Sequence, residues 1–446
     1  MKFGGTSVGN SEAFQKVSDI VASQSETKDK VVVVSAMRGV TDALISAFET
    51  AKAKDPDEAF QSLEPHFERH IEVADKLVSS RHRKLFDAEL DYSKKELNDL
   101  LRRTNRRSLP LSMLKDAIVS YGEQLSSRLL ACVLESREIP SRHIDARRVI
   151  VTDDEFGSAE PLWEETEELI NLEATSAFSE GRTAVIGGFI GANRAGETTT
   201  LGRGGSDFSA SIVAAAINAG ELQIWTDVSG VMTCDPRICP EARPIPSLSY
   251  EEAAELAYFG AKVLHPKTIK PAVDKQIPVR VCNTFDPLAS GTLITAHSDE
   301  TPNLIKSIAH KSGITILRIT SARMLGAYGF MSAVFQVFDR HRVVIDVIST
   351  SEVSVAMTID NAQNLDRVVE ELKRLGEVVI EPDNAVVCVV GEGLRASKGL
   401  AAKIFSTISD INIALVSHGA SEVNLTFVVR DDVVSEVIRR LHKEFF

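Results

Sequence analysis

Residues 329–353 can be laid on residues 399–423 without a gap, and no other feature of the sequence constrains the fold as much. Gly329/Gly399, Phe335/Phe405 and the tripeptides Ser351-Glu352-Val353 and Ser421-Glu422-Val423 are identical. Val334/Ile404, Val343/Ile413 and Ile345/Leu415 match in kind. The offset of 70 residues is too long for a solenoid repeat, so it reads as a duplicated small domain. Each copy has a glycine-led amphipathic helix, a β-branched strand, a polar turn and a second strand. That is half of a βαββαβ unit.

Ahead of the repeat the pattern is different. From residue 11 to about residue 290, β-branched runs alternate with helical stretches, which predicts a largely parallel sheet with helices on its faces. Strands are expected at 30–35, 183–191, 223–226 and 278–282, and long helices at 65–103 and 112–136. The turn residues Asp286, Pro287, Ser290 and Gly291 end this region, and 295–302 reads as a linker. The expected organisation is an α/β catalytic domain over 1–295 and a linker over 296–311. Two α+β domains follow at 312–383 and 384–446, the second completed by a strand from 303–311.

Composition narrows the function. The net charge of −13 argues against a nucleic-acid partner and favours a small molecule. The cluster Arg102, Arg103, Arg106 and Arg107 reads as a solvated helix end. No run approaches the ~18 apolar residues that span a bilayer, and no signal segment precedes Met1-Lys2-Phe3, so no membrane partner is expected. Five scattered cysteines imply a reducing compartment, hence the cytoplasm. Cys234 and Cys239 lack a second Cys or His pair in sequence, so no metal site is assigned to them.

Four segments carry chemistry. In Lys2-Phe3-Gly4-Gly5-Thr6-Ser7, paired glycines form an anion nest beside a cation, or simply a flexible turn. Thr198 to Asp207 (TTTLGRGGSD) places three glycines before an Ala-rich helix expected at 208–219, a combination that gathers free N–H groups and a positive helix end. Ser206 and Asp207 would serve there as N-caps, whereas Arg203 suits a carboxylate. Thr226-Asp227 ends a strand, where open α/β sheets bind ligands and where Asx-turns also occur. In Phe259 to Pro266 (FGAKVLHP), Lys262 is either a phosphate ligand or a surface lysine, and His265 reads as structural.

In this order, these segments and the duplicated unit resemble the aspartate kinases, with the C-terminal half similar to a tandem of ACT domains. The resemblance covers essentially the whole chain and is closest to the monofunctional, lysine-sensitive type. It implies an amino-acid-kinase αβα sandwich that transfers the γ-phosphoryl of ATP to the β-carboxylate of L-aspartate. The products are 4-phospho-L-aspartate and ADP, in the first step of lysine, threonine and methionine biosynthesis. The resemblance further implies that Lys2, Gly4, Gly5, Thr226, Asp227, Met232, Arg237 and Lys262 surround ATP. Ser35, Thr41, Glu123, Phe189, Arg203, Ser206 and Asp207 would surround aspartate, with Lys2, Asp207 and Lys262 catalytic. Mg²⁺ is expected to be held by phosphates and water, with no dedicated protein ligands. Met324, Gly329, Phe330, Met331, Ile345, Asp346, Thr350, Ser351 and Glu352 fall where such relatives bind lysine between ACT domains of a homodimer, with a tetramer as the alternative. Met232 replaces a tyrosine common among relatives, and Ala327 and Val344 replace serines. Relatives usually have an apolar strand before KFGG, so a short first strand is expected. The rival readings are a glutamate or acetylglutamate kinase and a non-catalytic amino-acid sensor.

Overall fold

The structure is a computed structural model that describes residues 1–24, 29–53, 55–104, 110–260, 264, 266–297, 304–326, 328–360 and 363–446. Lys262, His265, Ala327, Arg106 and Arg107 lie outside the described residues. The chain forms two units. One is Met1–Val231, Pro246–Leu248 and Leu264–Ser298; the other is Met232–Ile245, Ser249–Val263 and Asp299–Phe446.

Among the described residues, the first unit is built on an eight-stranded sheet. Its order is Ser141–Ile144, Thr183–Gly187, Val31–Val34, Lys2–Phe3, Leu222–Thr226, Val279–Asn283, Thr292–Thr295 and Ser247–Ser249. The first six strands are mutually parallel, and Thr292–Thr295 returns antiparallel. Val31–Val34 is buried at all four positions, as a β-branched run between two covered faces requires. Lys2–Phe3 is the short first strand, yet it lies mid-sheet, with Lys2 opposite Val33 on one side and Ile224 on the other. The expected strand at 183–191 is two: Thr183–Gly187 in this sheet and Ile190–Asn193 in a separate three-stranded sheet. Phe189 makes the switch with φ +66°, a left-handed conformation that costs a non-glycine residue about 1–3 kcal/mol. The long helices are likewise divided, into Glu64–Leu77 and Ser80–Arg103, and into Leu111–Val119 and Tyr121–Ser136.

The second unit holds a six-stranded antiparallel sheet ordered Ile348–Thr350, Ser354–Ile359, Ile305–Thr320, Glu377–Gly391, Asn424–Arg430 and Leu415–His418. The order is symmetric about its middle, as duplication demands. Gly329 and Gly399 are identical in the repeat because both cap a helix from the left-handed region, at φ +84° and +79°. Residues 305–311, within the segment expected to add a strand to the second copy, are strand and pair with 386–391. This unit also takes in two segments from within 1–295. The Ile308 amide donates to Thr233 O (2.8 Å), the Ser307 hydroxyl donates to Met232 O (2.8 Å), and Lys306 pairs with Glu252 at 3.0 Å, fully buried.

Candidate active site

Parallel strands leave unpaired backbone at their carboxyl ends, and in the first unit these ends border a cavity of about 820 Å³. Lys2, Gly5 and Ser35 reach it from two central strands, and Phe189 from the switch between sheets. Thr41 comes from the helix Val40–Ala53 and Glu123 from the first turn of Tyr121–Ser136. Arg203, Ser206 and Asp207 come from the glycine loop and the helix after it. All seven residues expected around aspartate therefore line one cavity, together with Lys2.

The glycine loop differs in detail from the expectation. The helix runs Gly205–Ala216, earlier than 208–219, and its N-cap is Gly204 at φ +73°. Ser206 and Asp207 are thus inside the first turn and do not cap it. The cause is steric: a Cβ at Gly204 would lie 2.8 Å from the Thr268 side chain, so only glycine turns the chain here. The free N–H groups and the positive helix end consequently face the cavity.

The expected site residues bring three charged groups to the cavity. Lys2 Nζ lies 2.7 Å from Asp207 Oδ1, a largely buried ion pair joining the central strand to the helix start. Glu123 is 3% exposed, accepts from the Ala36 amide, and has an Oε2 with no partner. Burial pushes its carboxyl up to about 8, against the opposing pull of those hydrogen bonds and Lys2. The Arg203 guanidinium makes no ion pair or hydrogen bond with any described residue. The Ser126 hydroxyl donates to Ser35 O (2.7 Å), which ties the Glu123 helix to the strand end.

Gly4 follows Lys2–Phe3 and donates its amide to Trp225 O (3.2 Å). Thr226 and Asp227 close strand Leu222–Thr226, with the threonine hydroxyl on Asp227 Oδ1 (3.2 Å). Met232 and Arg237 belong to the second unit. There Met232 bridges to Pro244, and the exposed Arg237 is already paired with Asp235 at 2.6 Å. Lys262, expected to be catalytic, lies outside the described residues.

The expected effector residues all lie in the second unit. Met324, Phe330, Met331 and Ile345 pack against one apolar cluster, and Gly329 caps the helix Phe330–His341. Thr350, Ser351 and Glu352 form an exposed strand end and turn, brought beside the Met324 turn by the Ser321 amide on Val353 O (2.8 Å). Asp346 is engaged: it accepts from the Tyr258 hydroxyl and pairs with Lys311 at 3.2 Å.

Sequence reasoning missed Asp116, which lines the cavity and whose partners are distant in sequence. It also missed that His442 joins Cys234 and Cys239, with ligand-type atoms within 4.8 Å of one another. There His442 Nε2 is engaged by the Thr233 hydroxyl (2.9 Å), and both cysteines belong to an apolar core cluster.

The amino acid kinase family model matches residues 1–283, and an ACT domain model matches 387–445. The chain is 36% identical to the lysine-sensitive aspartokinase 3 of Escherichia coli over 453 residues, covering 100% of this chain and 98% of that protein. It is 37% identical to the chloroplastic aspartokinase 3 of Arabidopsis thaliana, covering 100% of this chain and 81% of that protein. The crystal structure of E. coli aspartokinase III in complex with aspartate and ADP superposes with a TM-score of 0.84, at 36% identity, covering 100% of this chain and 99% of that one. The T-state structure of that enzyme, with lysine and aspartate, gives 0.83 at the same identity, covering 100% and 98%. An amino-acid-kinase sheet with a cation-lined cavity, a duplicated antiparallel unit and full-length relatives leave one assignment: this chain belongs to the aspartokinase family.

Proposed function

We propose that the cavity binds L-aspartate and presents its β-carboxylate to the γ-phosphoryl of ATP, giving 4-phospho-L-aspartate and ADP, the first step toward lysine, threonine and methionine. One observation carries this reading: a buried Glu123 carboxyl oxygen and an Arg203 guanidinium, both without partners among the described residues, converge with the Lys2–Asp207 pair on one cavity. An ammonium suits Glu123, and a carboxylate suits Arg203 bidentately. That leaves the second carboxylate of aspartate for the reaction.

The chemistry needs no general base. A β-carboxylate with a free pKa near ~3.9 is ionised at neutral pH. The barrier is the approach of one anion to a polyanion, so catalysis consists of alignment and charge neutralisation. Lys2 supplies fixed positive charge, with its ammonium held by Asp207, and Lys262 is the second cation that the resemblance implies. Magnesium fits as an ion carried by the phosphates, since no described residues form an acidic cage beside Lys2; it would add charge neutralisation. We read residues 1–295 as the catalytic domain and 312–383 and 384–446 as the two ACT domains, the second completed by a strand from 303–311.

The second unit is read as a lysine sensor. An effector ammonium would compete with Lys311 for Asp346. The expected assembly is a homodimer through the ACT domains, with a tetramer as the alternative, in the cytoplasm. Among the described residues no helix is long and apolar enough to cross a membrane.

A coupled ADP-release assay with aspartate, glutamate and acetylglutamate, each with and without lysine, tests both halves. Aspartate alone should turn over well. Acetylglutamate lacks the ammonium that Glu123 requires, and glutamate is one methylene too long, a difference of roughly 1–3 kcal/mol. Lysine should suppress the aspartate rate. Turnover of glutamate or acetylglutamate at the aspartate rate would reject the substrate assignment, and indifference to lysine would reject the effector.

A further inference from the structure

Asp116 lines the cavity without belonging to any motif in the sequence. It lies on the helix Leu111–Val119 and is 3% exposed. Its Oδ2 accepts from the amides of Gly157 (2.8 Å) and Thr200 (2.7 Å), and its Oδ1 from the Thr200 hydroxyl (3.0 Å). One carboxylate thus fastens a helix, the loop carrying Phe156 and Gly157, and the end of strand Thr198–Thr200. The chain leaves Thr200 through Gly202, where a Cβ would lie 3.2 Å from Gly157 O, and arrives at Arg203. With no partner on its guanidinium among the described residues, Arg203 is placed by the backbone on either side of it.

A carboxylate bordering a pocket for a substrate with two carboxylates would ordinarily repel them. Here three donors absorb the charge, which gives Asp116 a reason to be present. We propose that Asp116 is a positioning residue for the substrate carboxylate: it locks the turn from Thr200 to Gly204 against Gly157 and so sets where Arg203 points. This rests on the reading of Arg203 as the carboxylate clamp.

The test is steady-state kinetics on D116N, T200V, R203A and the combinations D116N/R203A and T200V/R203A. Asparagine keeps the volume and can leave its carbonyl on the two amides with its N–H₂ on the Thr200 hydroxyl, but it removes the negative charge that strengthens these bonds, so D116N should raise KM for aspartate roughly three- to tenfold. The KM for ATP and kcat should stay within about threefold, because Arg203 touches neither nucleotide nor the reacting atoms. T200V loses only the hydroxyl bond, and its KM for aspartate should rise roughly three- to tenfold. T200V keeps the test decisive should D116N fold poorly. In each combination the KM for aspartate should equal that of R203A within about threefold, since a residue acting only through Arg203 has nothing further to remove. Additive losses, or equal rises in KM for both substrates, would overturn the proposal. An unchanged KM in R203A itself would remove the clamp, and the proposal with it.

Discussion

Replacing Lys2 with alanine should lower kcat by roughly 10²–10³, with a much smaller change in KM for aspartate. The size follows from what the side chain does. In the proposed reaction an anionic carboxylate meets a polyanionic phosphate, and a fixed, largely buried charge is worth more than the same charge in solvent. Lys2 is buried in the middle of the parallel sheet, and its ammonium is held 2.7 Å from Asp207, so little reorganisation is needed when charge moves. The alanine variant also leaves Asp207 as an uncompensated anion facing the nucleotide, which adds to the loss. Single-turnover and steady-state ADP release would both read the effect. A variant with near-normal kcat would mean that the γ-phosphoryl passes elsewhere in the molecule.

The sequence made some of this arrangement visible and hid the rest for physical reasons. Val31–Val34 and Thr183–Gly187 were legible because a strand covered on both faces needs an unbroken apolar run. The segment from Thr198 to Asp207 was legible because clustered glycines ahead of a helix have few uses other than anion binding. The breaks at Ser120 and at Val78–Ser79 were not, since apolar spacing continues through both and neither site holds proline or glycine. Phe189 was expected near substrate only by family resemblance; its left-handed backbone, with the amide donating to Ser209 Oγ (2.9 Å), has no local signature. Asp116 was invisible for the same reason, because its donors lie 41 and 84 residues away and a single acidic residue in a helix ordinarily faces solvent. The partition at Met232–Ile245 followed hydrogen bonds to residues 307 and 308 that no periodicity encodes.

Glu123→Gln should raise KM for aspartate by roughly 10²–10³, the cost of leaving an ammonium unpaired in a buried site, while the fold is unharmed. The second half of that expectation is what separates a binding residue from a structural one. Burial lifts the Glu123 carboxyl to about 8, so in the free enzyme at neutral pH it is mostly protonated, and glutamine closely copies that neutral state. Because the folded value lies above the unfolded one near ~4.3, Glu123 favours the fold at low pH. That contribution declines as pH rises from there through about 8, and the glutamine variant escapes the decline. Thermal unfolding above neutrality should therefore show the variant at least as stable as the parent. Substrate has the opposite preference, since an ammonium binds the ionised carboxylate and must expel its proton. Aspartate affinity of the parent should thus rise about tenfold per pH unit below 8 and level off above it, with close to one proton released per ligand near pH 7. Calorimetric titrations in buffers of different ionisation enthalpy would count that proton directly. The variant should lose both the pH slope and the proton release, and a parent enzyme that binds aspartate with neither would exclude Glu123 as the ammonium's partner.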